Sequence, residues 1–187
     1  MTTPDTIEPL RVYLADMSYF SGKLEAYLRY KGIAYARIEA TPVNLLNEVF
    51  PQTGLMKVPV VHTASGDWLK DTTPMLQWFE QAYPQGSINP PDPVLNLISL
   101  LIEDYADEWL WRPALYYRWK YKTDFRMLSR RIASEVLRGF PGPLWLKAWY
   151  FGTRQWRLHA KGDGVRPHNE EHCLLYTSDA ADDLFRV

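Results

Sequence analysis

Ser18, Lys57, the Val58-Pro59 pair and the Asp71-Thr72 pair are the residues whose types and surroundings lend themselves to chemistry. Ser18 opens a run of small and apolar residues at helical spacing, so its hydroxyl is either an N-cap or a donor to an anion held at the helix mouth. Ser21 follows one helical turn later and is the weaker donor. Asp71 and Thr72 stand at the start of a second helical run, where Thr72 and Thr73 are good caps and Pro74 suits the first turn. A helix N-terminus offers unpaired N–H donors and a partial positive charge, which favours a carboxylate. Pro59 fits an edge strand in trans, or a turn in cis, where the cis bond costs only about 0.5–1 kcal/mol. The single cysteine, Cys173, excludes an internal disulfide framework and a cysteine zinc cluster, so any thiol chemistry needs a thiol from another molecule. Asp104, Asp107 and Glu108 cluster without a histidine at metal-ligand spacing, and His62, His159, His168 and His172 are scattered, so no metal is expected.

These residues need a scaffold. Leu10 to Leu14 reads as a strand, and from Tyr19 the apolar positions Leu24, Tyr27 and Leu28 recur at helical spacing until Gly32. Ala34 to Ala40 alternates like a strand, and Val43 to Phe50 suits a short helix ended by Pro51. Val58 to His62 and Asp67 to Lys70 are strands, and Met75 to Tyr83 carries a helix to Pro84. The order is therefore βαβαββα. Residues 85–93 are polar and proline-rich and read as a linker. Beyond them Val94 to Tyr121 is a long aromatic helical pattern interrupted at Pro113, followed by helices over Asp124 to Arg138 and Leu144 to about His159.

A net charge of −1, from 21 basic and 22 acidic residues, implies no nucleic-acid or membrane partner by bulk electrostatics. No basic stretch leads into an apolar run at the start, and no segment approaches the roughly 18 apolar residues of a membrane span, so the cytoplasm is the expected location. Cys173 to Asp183 (CLLYTSDAADD) resembles the translation of the transposase adapter used in sequencing-library preparation. On that resemblance residues 173–187 are a non-native tail, and the authentic frame stops near His172.

Three segments, MSYFSGKLEAYLRYKGI, GLMKVPVV and LKDTTPMLQWFE, in this order and spacing resemble the N-terminal domain of the glutathione transferase superfamily. YADEWLWRPALYYRW further resembles the first helix of its all-helical second domain in a bacterial branch. The resemblance implies an α+β fold with a thioredoxin-like domain at 5–84, a linker at 85–93, and a partial all-helical domain at 94–172 that is cut short. It implies glutathione as co-substrate, a small hydrophobic electrophile as its partner in the reaction, and pairing of two chains into a homodimer. Val58, before the family's cis-proline at Pro59, would offer its backbone to the cysteinyl part of the tripeptide as an extra strand does. Asp71 would take the γ-glutamyl ammonium, Thr72 the carboxylate, and Lys57 the glycine carboxylate.

Ser18 aligns with the catalytic serine or cysteine of the family's Ser- and Cys-type classes. Its hydroxyl and a helix N-terminus would lower the glutathione thiol from about 8.5, the ordinary value for a cysteine thiol. Tyr13 is one residue out of register for a tyrosine-type site, and so reads as packed. Tyr19 replaces the family's usual proline, the feature that favours a non-catalytic binding or scaffold protein as the alternative. Tyr105 and Trp109 would line the electrophile pocket, although ordinary helix packing accounts for them better.

Overall fold

The computed structural model describes residues 10–160, 165–166 and 168–171. The proposed start of the first domain at residue 5, His172, Cys173 and the tail 173–187 lie outside the described residues. The chain separates into two compact units that change over between Asn89 and Pro90, with Glu135–Arg138 grouped with the first.

In the first unit β1 (Leu10–Leu14), β2 (Tyr35–Glu39), β3 (Val60–His62) and β4 (Trp68–Lys70) form one sheet in the order β2-β1-β3-β4. β1 and β2 are parallel, joined by helix α1 (Tyr19–Tyr30), whereas β3 runs antiparallel to both β1 and β4. Alternation along β1 divides its side chains between two layers. Leu10, Val12 and Leu14 pack with Leu24, Tyr27 and Leu28 of α1 and with Met75 and Phe79 of helix α4 (Thr72–Ala82). Tyr13 faces the other way, against Val49, Val60 and the half-buried Ile38, Leu45 and Trp68. Each fully buried leucine or valine contributes about 1.5–3 kcal/mol, so the sheet is held from both sides.

On the Tyr13 side lies a helical stretch made of α2 (Pro42–Asn44), a π-helical turn π1 (Leu45–Val49) and α3 (Phe50–Thr53). It runs through Pro51, which the sequence suggested would end it. Proline lacks the N–H that would bond the carbonyl four residues back, that of Asn47, and its ring crowds that carbonyl. The wider π turn around Asn47 accommodates both, and Pro51 becomes a first-turn proline of α3. Gly54, at φ 69°, then closes the helix in the left-handed conformation that glycine adopts without penalty.

Glu80 ties α1, α4 and the chain after α4 together. Its carboxylate accepts from Tyr27 Oη at 2.6 Å, from Ser87 Oγ and from the Ile88 N–H at 3.2 Å, and stands 3.0 Å from Lys31 Nζ. The Lys31 side chain is 1% exposed, and Glu80 is its ion-pair partner. Burial pushes the Glu80 carboxyl up, but hydrogen bonds from Ser87 and Tyr27 and the Lys31 charge outweigh it and hold the group below its ordinary value.

The second unit is helical: α5 (Pro93–Tyr105), π2 (Ala106–Leu110), α6 (Trp111–Lys120), α7 (Lys122–Val136), α8 (Leu144–Gln155) and π3 (Trp156–Ala160). Pro113 does not interrupt the long helix as expected. Its carbonyl four back, Trp109, again falls within a π turn, and the helix continues. α8 packs against α7 at Gly152, where a Cβ would collide with Ser129 Oγ and stand 2.8 Å from Phe125 Cζ.

Candidate functional site

Register brings three chain segments out at one end of the sheet. Tyr13 of β1, Val60 of β3 and Lys70 of β4 lie in one row. Because β3 runs opposite to β1 and β4, the end of β1, the entry to β3 and the exit from β4 all lie beyond that row. Ser18, Val58-Pro59 and Asp71 are therefore neighbours by topology, although the sequence separates them by 53 positions.

Ser18 is the N-cap of α1: its backbone is extended and its Oγ accepts the Ser21 N–H at 3.2 Å. That bond uses a lone pair and leaves the hydroxyl proton to be donated elsewhere. Ser21 is 3% exposed, and its Oγ accepts the Ala15 N–H at 3.3 Å, so it braces the turn between β1 and α1. The cap role and the donor role of Ser18 are compatible in this geometry. Tyr19, which follows, is exposed.

The Val58-Pro59 bond is cis. Pro59 is buried and Val58 half-buried, and both precede β3, which begins at Val60 and is shorter than the expected strand from Val58. Lys57 is exposed one residue earlier.

At the exit from β4 the cap differs from expectation. Asp71, not Thr72 or Thr73, occupies the N-cap position of α4, and its side chain makes no capping hydrogen bond. Asp71 has φ 71° and ψ 127°, the only positive φ at a non-glycine among the described residues. Such a conformation costs on the order of 1–3 kcal/mol and recurs at ligand clamps. It places an exposed aspartate at the start of α4, with Thr72 buried beside it at 3% exposure. No pattern in the sequence announces this, because a left-handed aspartate is set by its surroundings.

Tyr13 is fully buried, and its hydroxyl donates to Glu48 Oε2 at 2.7 Å, an oxygen that also takes Arg11 Nη2 at 2.6 Å. Burial first, then the Glu48 contact, pushes the Tyr13 phenol up to about 12. It stays protonated on the layer away from α1. In the second unit, Tyr105 and Trp109 are both more than half exposed, at 51% and 61%. Among the described residues no group of three or more His, Cys, Asp or Glu comes together to hold a metal, and no helix is long and apolar enough to cross a membrane.

A four-stranded sheet in this order, α1 and α4 on one layer and a cis proline before β3, define the first unit as a thioredoxin-like domain. Residues 12–89 match the N-terminal domain family of glutathione S-transferases, and this domain belongs to the glutathione S-transferase superfamily. No curated protein matches the sequence. Among solved structures the chain is similar to the beta-etherase LigF of Sphingobium sp. strain SYK-6, at 17% identity and a TM-score of 0.58 over 94% of this chain and 72% of that one. It is also similar to a glutathione transferase homologue from Sulfitobacter with bound glutathione, at 14% identity and a TM-score of 0.51 over 97% of this chain and all of that one. A glutathione S-transferase of Methylobacterium radiotolerans JCM 2831 shares 21% identity over 82% of this chain, with a TM-score of 0.46. The chain spans 63% of the length of that protein.

Proposed function

We propose that the first unit binds glutathione and that the protein transfers its sulfur to a small hydrophobic electrophile in the cytoplasm. The observation that carries this reading is the N-cap of α4, where Asp71 is held at a positive φ and its side chain makes no capping hydrogen bond. A γ-glutamyl group has the complementary pair: a carboxylate for the positive end of the helix dipole and Thr72, and an ammonium for Asp71. Val58 would dock the cysteinyl backbone beside cis-Pro59, and Lys57 would meet the glycine carboxylate. The thiol would then lie toward Ser18, whose free hydroxyl proton donates to the thiolate. Tyr105 and Trp109 would contact the electrophile, and a homodimer is the assembly this reading entails.

Catalysis would consist of thiolate activation and positioning, with no bond between enzyme and substrate. The test is calorimetric titration of glutathione into the wild-type chain and into Thr72→Ala and Ser18→Ala variants. Thr72→Ala should weaken binding about tenfold, and Ser18→Ala should leave it within a factor of two. Glutathione binding without turnover of any electrophile would favour the scaffold alternative that Tyr19 suggests. No binding by a folded wild-type chain overturns the glutathione reading and leaves a scaffold protein of the same fold.

A further inference from the structure

The even charge balance of the whole chain conceals a marked unevenness. Between Arg112 and residue 160 stand eleven lysines and arginines against two acidic residues, Asp124 and Glu135. Part of this charge converges on one concave place in the second unit. A groove of about 580 Å³ along α7 and the start of α8 is lined by Arg126, Arg130, Arg131, Thr123, Ser134 and Leu144, among others. Arg126 and Arg130 are four residues apart and Thr123 continues their row, so two guanidinium groups and a hydroxyl share one helix face, while Ser134, further along it, donates its hydroxyl to the Arg131 carbonyl at 2.7 Å. Neither Arg126 nor Arg130 has an ion-pair partner among the described residues. Two like charges at this spacing repel each other, and an anion between them relieves the repulsion.

We propose that this groove binds a small organic phosphate. Guanidinium forks match phosphate oxygens in paired hydrogen bonds, Thr123 adds a neutral donor, and Leu144 gives the organic part an apolar contact. The concave shape suits a small molecule. The site lies wholly within the second unit and does not depend on the glutathione reading.

The test uses inorganic pyrophosphate as probe, titrated calorimetrically into the full chain in 50 mM salt. The charge-matched pair of variants is Arg126→Gln/Arg130→Gln in the groove and Arg154→Gln/Arg157→Gln outside it, all at exposed positions. Saturable binding weakened tenfold or more by the groove variant and less than twofold by the control is the expected result, with added glutathione leaving it unchanged. Absence of saturable binding to the wild type, or equal loss in both variants, overturns the proposal. So does groove-dependent binding of phosphatidylserine vesicles without binding of pyrophosphate, which would assign the arginines to a lipid surface.

Discussion

A serine whose oxygen already accepts a backbone N–H has only its proton left to give, and Ser18 is in that position. If its donation stabilises a thiolate, Ser18→Ala should raise the pKa of bound glutathione by about one unit, equivalent to about 1.4 kcal/mol, followed by thiolate absorbance against pH. Tyr13 is its opposite, a hydroxyl whose proton is already given to Glu48. Tyr13→Phe should leave thiolate formation unchanged and cost about 1 kcal/mol of stability for the lost hydrogen bond. Its pH signature has a definite sign. The folded-state value of about 12 exceeds the ordinary 10, so this stabilisation is complete below pH 10 and lost as pH rises through 12. In Tyr13→Phe the alkaline fall in stability, measured by denaturant titration from pH 9 to 12, should therefore be shallower than in the wild type. Glu80 carries the reverse sign. Its carboxyl is held low, so its contribution is present at neutral pH and is lost on acidification below its ordinary value of 4.5. Glu80→Ala would strand the buried Lys31 charge and should destabilise the first unit by about 3–5 kcal/mol at pH 7, read from its unfolding midpoint.

At the level of elements, the tightest contact makes the sharpest prediction. Ser129 Oγ is buried and has no hydrogen-bond partner among the described residues, and Gly152 packs directly on it. Ser129→Ala should be neutral or stabilising by up to about 1 kcal/mol, because it removes an unsatisfied buried hydroxyl. Gly152→Ala should cost about 1–3 kcal/mol by overpacking, and thermal unfolding of the two variants decides both. The strand and helix order was legible in the sequence because periodicity and turn residues agreed from Leu10 to Ala82. Pro51 and Pro113 misled for one shared reason: proline was read as a stop, whereas a π turn placed around the carbonyl four residues back absorbs it. The Asp71 cap was hidden because Asp71, Thr72 and Thr73 are all cap-forming residue types, and only the exit from β4 fixes which of them stands at the boundary. Ser18, Val58-Pro59 and Asp71 were legible as separate motifs, but only strand register brings them to one end of the sheet.

At the level of the whole molecule, α5 stands out because none of its residues is buried, while Val94, Leu97, Leu101 and Ile102 are each at least 58% exposed. Asn96, Ser99 and Glu103 line one face of it, the remaining apolar side chains stand in solvent, and exposed apolar surface of this extent drives association. Sedimentation should show mass rising with concentration, and Leu97→Lys/Leu101→Lys should abolish the rise without changing the unfolding midpoint of the first unit. Net charge is equally uninformative about where charge sits. Judged by its isoelectric point of about 6.4, the chain should pass through a cation-exchange column at pH 7. The arginine row on α7 makes it a molecule with a handle: it should be held on the resin by one face, release at a salt concentration set by that face alone, and elute earlier once Arg126 and Arg130 are neutralised.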